Sequence, residues 1–324
     1  MSKLVEADFW HKERNGVRCE LCARKCFILN GKLGYCEVRK NVNNILYSLN
    51  YGKITSFSIT NIENNPLFHF YPKSKTFYIF TVGSYLKIDY TNKKAKEISS
   101  NSLLNEITKS KVKSVTFGPE PIVEMEYVYE IMRANRKNGI ANVFVTNGYL
   151  TNVVNKKIVK LIDAVTLKVY ASLDKNFYKN NLSIENIDPI KIFMRQLKKH
   201  RVHLEILNLL FPNVGENLEV FKEFIDFITR EIDSYTPLHI TQLKPEKQSK
   251  LQQISQSTLI KFYEEAVNGG MRNVFLHGFA NKEDTLCYNC NQVLIKRENG
   301  VVKKYILEDG RCPSCGLKMN VINK

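Results

Sequence analysis

Residues 37–286 contain no cysteine, although the chain of 324 residues has eight. The middle of the protein therefore has no thiolate to offer a metal or a substrate. A membrane-length apolar run is also absent, and the opening stretch MSKLVEADFWHKERNG alternates charge with apolar residues where a secretory signal would be uninterrupted. A soluble, cytoplasmic protein is expected. There is no low-complexity segment, no P-loop, no G-x-S-x-G elbow and no H-E-x-x-H helix. Phosphate-cradling, serine-hydrolase and zinc-protease chemistry thus have no visible carrier. Acid is in short supply: 32 Asp and Glu face 48 Lys and Arg, a formal charge of +16.

That imbalance favours a polyanionic partner such as RNA, while the even spread of lysine among Asn and Ile fits a general compositional bias with a basic, well-solvated surface. Hydrophobic residues make up 44% of the chain, enough for a buried core.

The cysteines that are present form two quartets, Cys19/Cys22/Cys26/Cys36 and Cys287/Cys290/Cys312/Cys315. In a reducing compartment, C-x-x-C pairs act as metal ligands more often than as disulfides. The C-terminal quartet, CYNC and CPSC separated by 21 residues, has the layout of a zinc ribbon, in which two tight turns each give two thiolates to one tetrahedron. Between them VLIKRENGVVKKYIL predicts a β-hairpin turning at Glu298-Asn299-Gly300. The N-terminal quartet is spaced C-x2-C-x3-C-x9-C. Four thiolates close a site, so Cys36 points to structural zinc or a closed iron–sulfur cluster, with zinc expected at both quartets. Arg18, Arg24 and Lys25 are expected to flank the N-terminal sulfurs.

Short β-branched and aromatic runs alternate with amphipathic stretches through the middle. Strands are predicted at Phe77–Val82, Ser114–Phe117, Asn142–Thr146, Ala164–Val169, His203–Leu210, Leu238–Leu243 and Asn273–Gly278. Phe221, Phe224, Ile225 and Ile228 mark one face of a helix, and a similar pattern ends at Gly269-Gly270. This rhythm predicts a parallel sheet, open or barrel-like, with functional residues on loops that follow the strands. The six histidines are scattered, and each is expected to be packed or solvated rather than a ligand.

The segments CELCARKCFILNGKLGYCEVRKN, IENNPLFHFYP, TNGY, PLHITQLKP, CYNCNQVLI and GRCPSC together resemble the AmmeMemoRadiSam-system radical S-adenosylmethionine enzymes, relatives of pyruvate formate-lyase activating enzymes. The resemblance covers almost the whole chain. It implies a partial (β/α) barrel flanked by an N-terminal four-cysteine module and a C-terminal zinc ribbon, an α/β fold with boundaries near 1–45, 46–280 and 281–324. It also implies a [4Fe–4S] cluster on the loop after the first strand, held by C-x3-C-x2-C. Here that loop reads TVGSYLKIDYTN, with Ser84, Ile88 and Thr91 at the ligand positions. None of these is a thiolate, so an ordinary cluster is not expected there. Gly118 and Glu120 match the family's cofactor-contacting segment, as a vestigial S-adenosylmethionine pocket or, for Glu120, a surface carboxylate before a helix. The family's Asp-x-Lys pair has Lys168 and Tyr170 near its place. The expected function is a non-catalytic protein with two structural zinc sites that binds RNA, the ribosome or another ribonucleoprotein. The alternative is a radical enzyme using an unusual or partner-supplied [4Fe–4S] cluster and S-adenosylmethionine.

Overall fold

A computed structural model describes residues 4–86, 95–243 and 253–323. The chain builds two compact units that interleave in sequence. The first takes Met1–Thr60, Lys75–Val165 and Asn186–Val202, and the second takes Asn61–Ser74, Thr166–Glu185 and His203–Lys324.

In the first unit, Lys75–Thr81, Ser114–Gly118 and Ala141–Thr146 pair in parallel, with Phe117 opposite both Ile79 and Phe144. Ser114–Gly118 and Ala141–Thr146 are buried along their whole length, as expected of strands covered on both faces. Some of the buried polar side chains pair across the sheet: Thr76 Oγ1 donates to the Ser114 carbonyl at 3.0 Å and meets Thr116 Oγ1 at 2.8 Å. Helix Asp188–Lys199 buries Ile190, Phe193, Met194 and Leu197, a stripe at i, i+3, i+4 and i+7. Residues 5–48 contain two three-stranded antiparallel sheets. One contains Trp10–Glu13, Gly16–Cys19 and Phe27–Leu29, and the other contains Val5–Glu6, Ile45–Ser48 and Arg39–Val42.

In the second unit, His203–Leu210, Leu238–Gln242 and Val274–Leu276 pair in parallel. Helices Leu218–Phe227 and Gln256–Asn268 start on side-chain caps from Asn217 and Ser255, and Phe221 meets Phe262 at 4.8 Å between ring centroids. Strand Val293–Glu298 pairs antiparallel with Val301–Tyr305. Asn299 and Gly300 turn that hairpin with φ of 49° and 73°, the left-handed pair for which an Asn-Gly sequence is suited. The ribbon's small core is Leu294, Ile295, Leu307 and Met319 packed around Cys287 and Cys312.

All seven predicted strands are present, within two residues at each end. The fold is α/β, with parallel strand pairing in each unit beside three small antiparallel sheets, and among the described residues no strand pairing closes a barrel. No described helix is long and apolar enough to cross a membrane.

Candidate metal centres and the buried polar sites

The ribbon presents its cysteines from two matching turns. After Cys287, Asn291 N–H donates to the Cys287 carbonyl at 3.0 Å. After Cys312, Gly316 N–H donates to the Cys312 carbonyl at 2.8 Å. Asn291 and Gly316 both have positive φ, at 58° and 74°, which reverses the chain tightly enough to aim two sulfurs at one point. The four sulfurs all lie within 4.8 Å of one another, with Cys287–Cys315 at 3.5 Å and Cys290–Cys312 at 3.6 Å. A tetrahedron of Zn–S bonds of about 2.3 Å has edges of about 3.8 Å, whereas a disulfide needs about 2.05 Å. The spacing fits a single tetrahedral ion and excludes a disulfide. Backbone donation from Leu317 holds the Cys315 thiol down at about 6, which favours the thiolate that a metal requires.

The N-terminal quartet also converges. Cys19 ends strand Gly16–Cys19, Cys22 bridges to Leu150, and Cys26 returns through its carbonyl to Cys19 N–H at 3.0 Å. All four cysteines line one narrow cavity with Leu21, Tyr85 and Arg39. Among the described residues, the C-terminal quartet is the group whose sulfurs close to within 4.8 Å of one another. Burial pushes the Cys36 thiol up to about 11 and raises Cys22 as well, so ionising this set needs a compensating cation.

Of the cations expected beside this quartet, Arg18 and Arg24 are engaged by other groups. Arg18 is paired with Glu13 at 2.7 Å, and Arg24 lies over the Tyr35 ring at 3.8 Å while its Nε donates to the Tyr85 carbonyl at 2.9 Å. The buried cation is Arg39, which is 1% exposed. It is ion-paired with Glu126 and donates to the Asp8 carbonyl at 2.7 Å, while its Nε is left without a partner. Sequence reading missed it because Glu126 lies 87 residues away.

The positions at which the sequence leads us to expect a cofactor pocket are interior where the structure describes them. Ser84 is buried and closed on its own turn: its hydroxyl donates to the Leu86 carbonyl at 2.6 Å and accepts from Leu86 N–H at 2.9 Å. Ile88 and Thr91 lie outside the described residues. Glu120 has no exposed surface, which removes the surface-carboxylate alternative. It accepts from Thr146 Oγ1 at 2.8 Å and from Asn147 N–H at 3.1 Å. Gly118 admits no side chain, since a Cβ would stand 2.2 Å from Tyr78 Oη. Lys168 is buried at 7% exposure, and Tyr170 packs beside Phe211 at 6.0 Å. Closed on its own turn, the Ser84 hydroxyl is not turned outward as a ligand.

A polar cluster that the sequence does not announce lies in the second unit. Glu205, wholly buried, accepts four hydrogen bonds. His69 N–H (2.8 Å) and His203 Nε2 (2.8 Å) donate to Oε1, and Phe68 N–H (2.9 Å) and His239 Nε2 (2.9 Å) donate to Oε2. A carboxylate that only accepts fixes His239 as the Nε2–H tautomer, so its Nδ1 accepts from His277 Nε2 at 2.9 Å. Burial alone would raise Glu205, but the bonds from His203 and His239 hold it well below the usual carboxylate range. Arg297, from the ribbon hairpin, donates to the Phe68 carbonyl at 2.8 Å and to Thr285 Oγ1 at 2.9 Å, and its guanidinium lies 4.2 Å from the Phe68 ring centroid. Phe68 is thereby gripped at its N–H by a carboxylate and at its carbonyl by a guanidinium.

The comparisons fall beside this geometry. No protein-family model matches the chain. An uncharacterized protein of Methanocaldococcus jannaschii is 29% identical over 335 residues, spanning 98% of this chain and 99% of that one. Among solved structures, a domain of pyruvate-formate lyase-activating enzyme from Bacteroides vulgatus is similar at TM-score 0.43 and 18% identity, over 51% of this chain and 98% of that chain. SuiB of Streptococcus suis, in a structure bound to S-adenosylmethionine, is similar at TM-score 0.46 and 15% identity, over 58% of this chain and 45% of its own.

Proposed function

We propose that this protein is a non-catalytic relative of the radical S-adenosylmethionine enzymes. In this reading its two cysteine quartets are structural metal centres, and its basic surface binds RNA or a ribonucleoprotein such as the ribosome. The observation that carries the reading is Ser84. Where a cluster would need its first thiolate, the chain has a buried hydroxyl engaged by its own turn. Glu120, the carboxylate left for a cofactor, is engaged by Thr146 and Asn147. The charge of +16 supports a polyanionic partner. The test is binding of the pure protein to RNA and to ribosomes across a salt series. The reading expects affinity that falls steeply with ionic strength; no affinity at about 50 mM salt would overturn it.

One observation favours a second reading of the N-terminal centre. Its four cysteines surround one narrow cavity together with Tyr85 and Arg39. A closed iron–sulfur cluster held by these four cysteines would remain structural, because no iron is left open to a substrate. Iron and sulfide analysis of anaerobically purified wild type and Cys36→Ser separates it from zinc.

A further inference from the structure

We infer that a cleft between the metal ribbon and the βα core of the second unit is a binding site for one nucleotide of single-stranded RNA. The cleft holds about 560 Å³, and its walls include Asp233, Tyr235, Arg272, Tyr288, Asn289 and Lys318. This inference rests on the RNA-binding reading and names the site for it.

Tyr235 is 40% exposed, and its ring stands edge-on to Tyr288 at 4.9 Å between centroids. Both tyrosines are held in place. Tyr235 N–H donates to Asp233 Oδ1 at 2.9 Å, and its carbonyl accepts from Asn273 Nδ2 at 2.8 Å. The Tyr288 hydroxyl accepts from Asn320 N–H at 3.3 Å and lies 3.4 Å from Asn273 Nδ2. A pinned, half-open aromatic ring is a stacking platform for a base, and such platforms tolerate any base because every base has a π-face. Arg272 N–H donates to the Ser234 carbonyl at 2.9 Å, which brings an exposed guanidinium beside the platform, and Lys318 adds an exposed ammonium on the ribbon side. These two cations suit the flanking phosphates. Asp233 accepts and Asn289 both donates and accepts, so base edges with amino groups find partners there. Tyr288 follows Cys287 directly and Lys318 comes three residues after Cys315, so one wall of the cleft is shaped by the metal turns.

The test uses the full chain and fluorescently labelled single-stranded and duplex RNA of equal length, in an anisotropy titration over a salt series. Tyr235→Ala is expected to weaken single-stranded binding about 5- to 150-fold, the range for loss of one stacked base, and to leave duplex binding unchanged. Tyr235→Phe should bind like wild type. Arg272→Ala, a change at an exposed side chain, should weaken binding and reduce the salt slope by about one. If wild type binds RNA and both Tyr235→Ala and Arg272→Ala bind single strands equally well, this site is wrong and the RNA-binding reading stands. If wild type binds neither RNA, both fail.

Discussion

Replacing Glu205 by glutamine keeps the shape of the side chain and removes half of its accepting capacity, and the four bonds it makes allow the cost to be worked out. Whichever oxygen becomes the amide nitrogen, one backbone N–H and one histidine lose their acceptor: His69 N–H with His203, or Phe68 N–H with His239. The histidine can change tautomer and present a bare nitrogen. For His239 this also requires His277 to shift its proton, since the two rings share one hydrogen bond at 2.9 Å. The backbone amide has no such choice. An unsatisfied buried donor costs about 1–3 kcal/mol, and losing the charge on the bonds that remain costs about as much again, so the change should destabilise the second unit by about 2–6 kcal/mol. Hydrogen exchange is the sharper assay, because it reads this unit without assuming that the whole chain unfolds in one step. The Phe68 and His69 amides should lose protection, and the urea midpoint of the second unit should fall. A shift below about 1 kcal/mol, with protection at both amides unchanged, would refute the assigned network.

Other expectations follow from the same structure. Stability should fall as the pH drops from 7 towards 5. Burial holds His69 and His277 down at about 3, while the unfolded chain takes up a proton near 6.5. Their stabilisation is therefore complete above about 6.5 and is lost as the pH falls towards 3, at about 2 kcal/mol for each histidine between pH 7 and 5. A denaturation midpoint that stays flat over pH 5–7 would contradict the assignment. Cys312→Ser should remove one metal per chain and unfold the ribbon hairpin, because its six-residue core is too small to hold without an ion; retained metal and unchanged hairpin exchange would count against the ribbon. Thr146→Val should destabilise the first unit by about 1–3 kcal/mol by stripping a donor from buried Glu120, to be read as a melting shift. Full stability would mean that Glu120 is not structural.

The strands and the ribbon were legible because their signals are local. Val, Ile and Phe runs marked each parallel strand, the Asn-Gly pair at 299–300 demanded left-handed backbone, and the paired C-x-x-C turns announced the tetrahedron. The six short strands of the first 48 residues were not legible, since segments such as Trp10–Glu13 and Arg39–Val42 are too short to show a period. Expecting His69, His203 and His239 to be packed agrees with their burial, at 0%, 7% and 0% exposure. What sequence could not give was their shared acceptor: Glu205 lies 136 residues from His69 and 34 from His239. The same distance hid Arg39 and Glu126, and placed Glu120 inside the fold although its loop and following helix suggested the surface.

The most direct test of a non-catalytic scaffold is to reduce the anaerobically purified protein, add S-adenosylmethionine, and measure 5′-deoxyadenosine beside the metal content of the same sample. This account predicts thiolate-bound metal at stoichiometric levels and no 5′-deoxyadenosine above a protein-free control. Turnover of S-adenosylmethionine that rises with the iron content of the sample would contradict it.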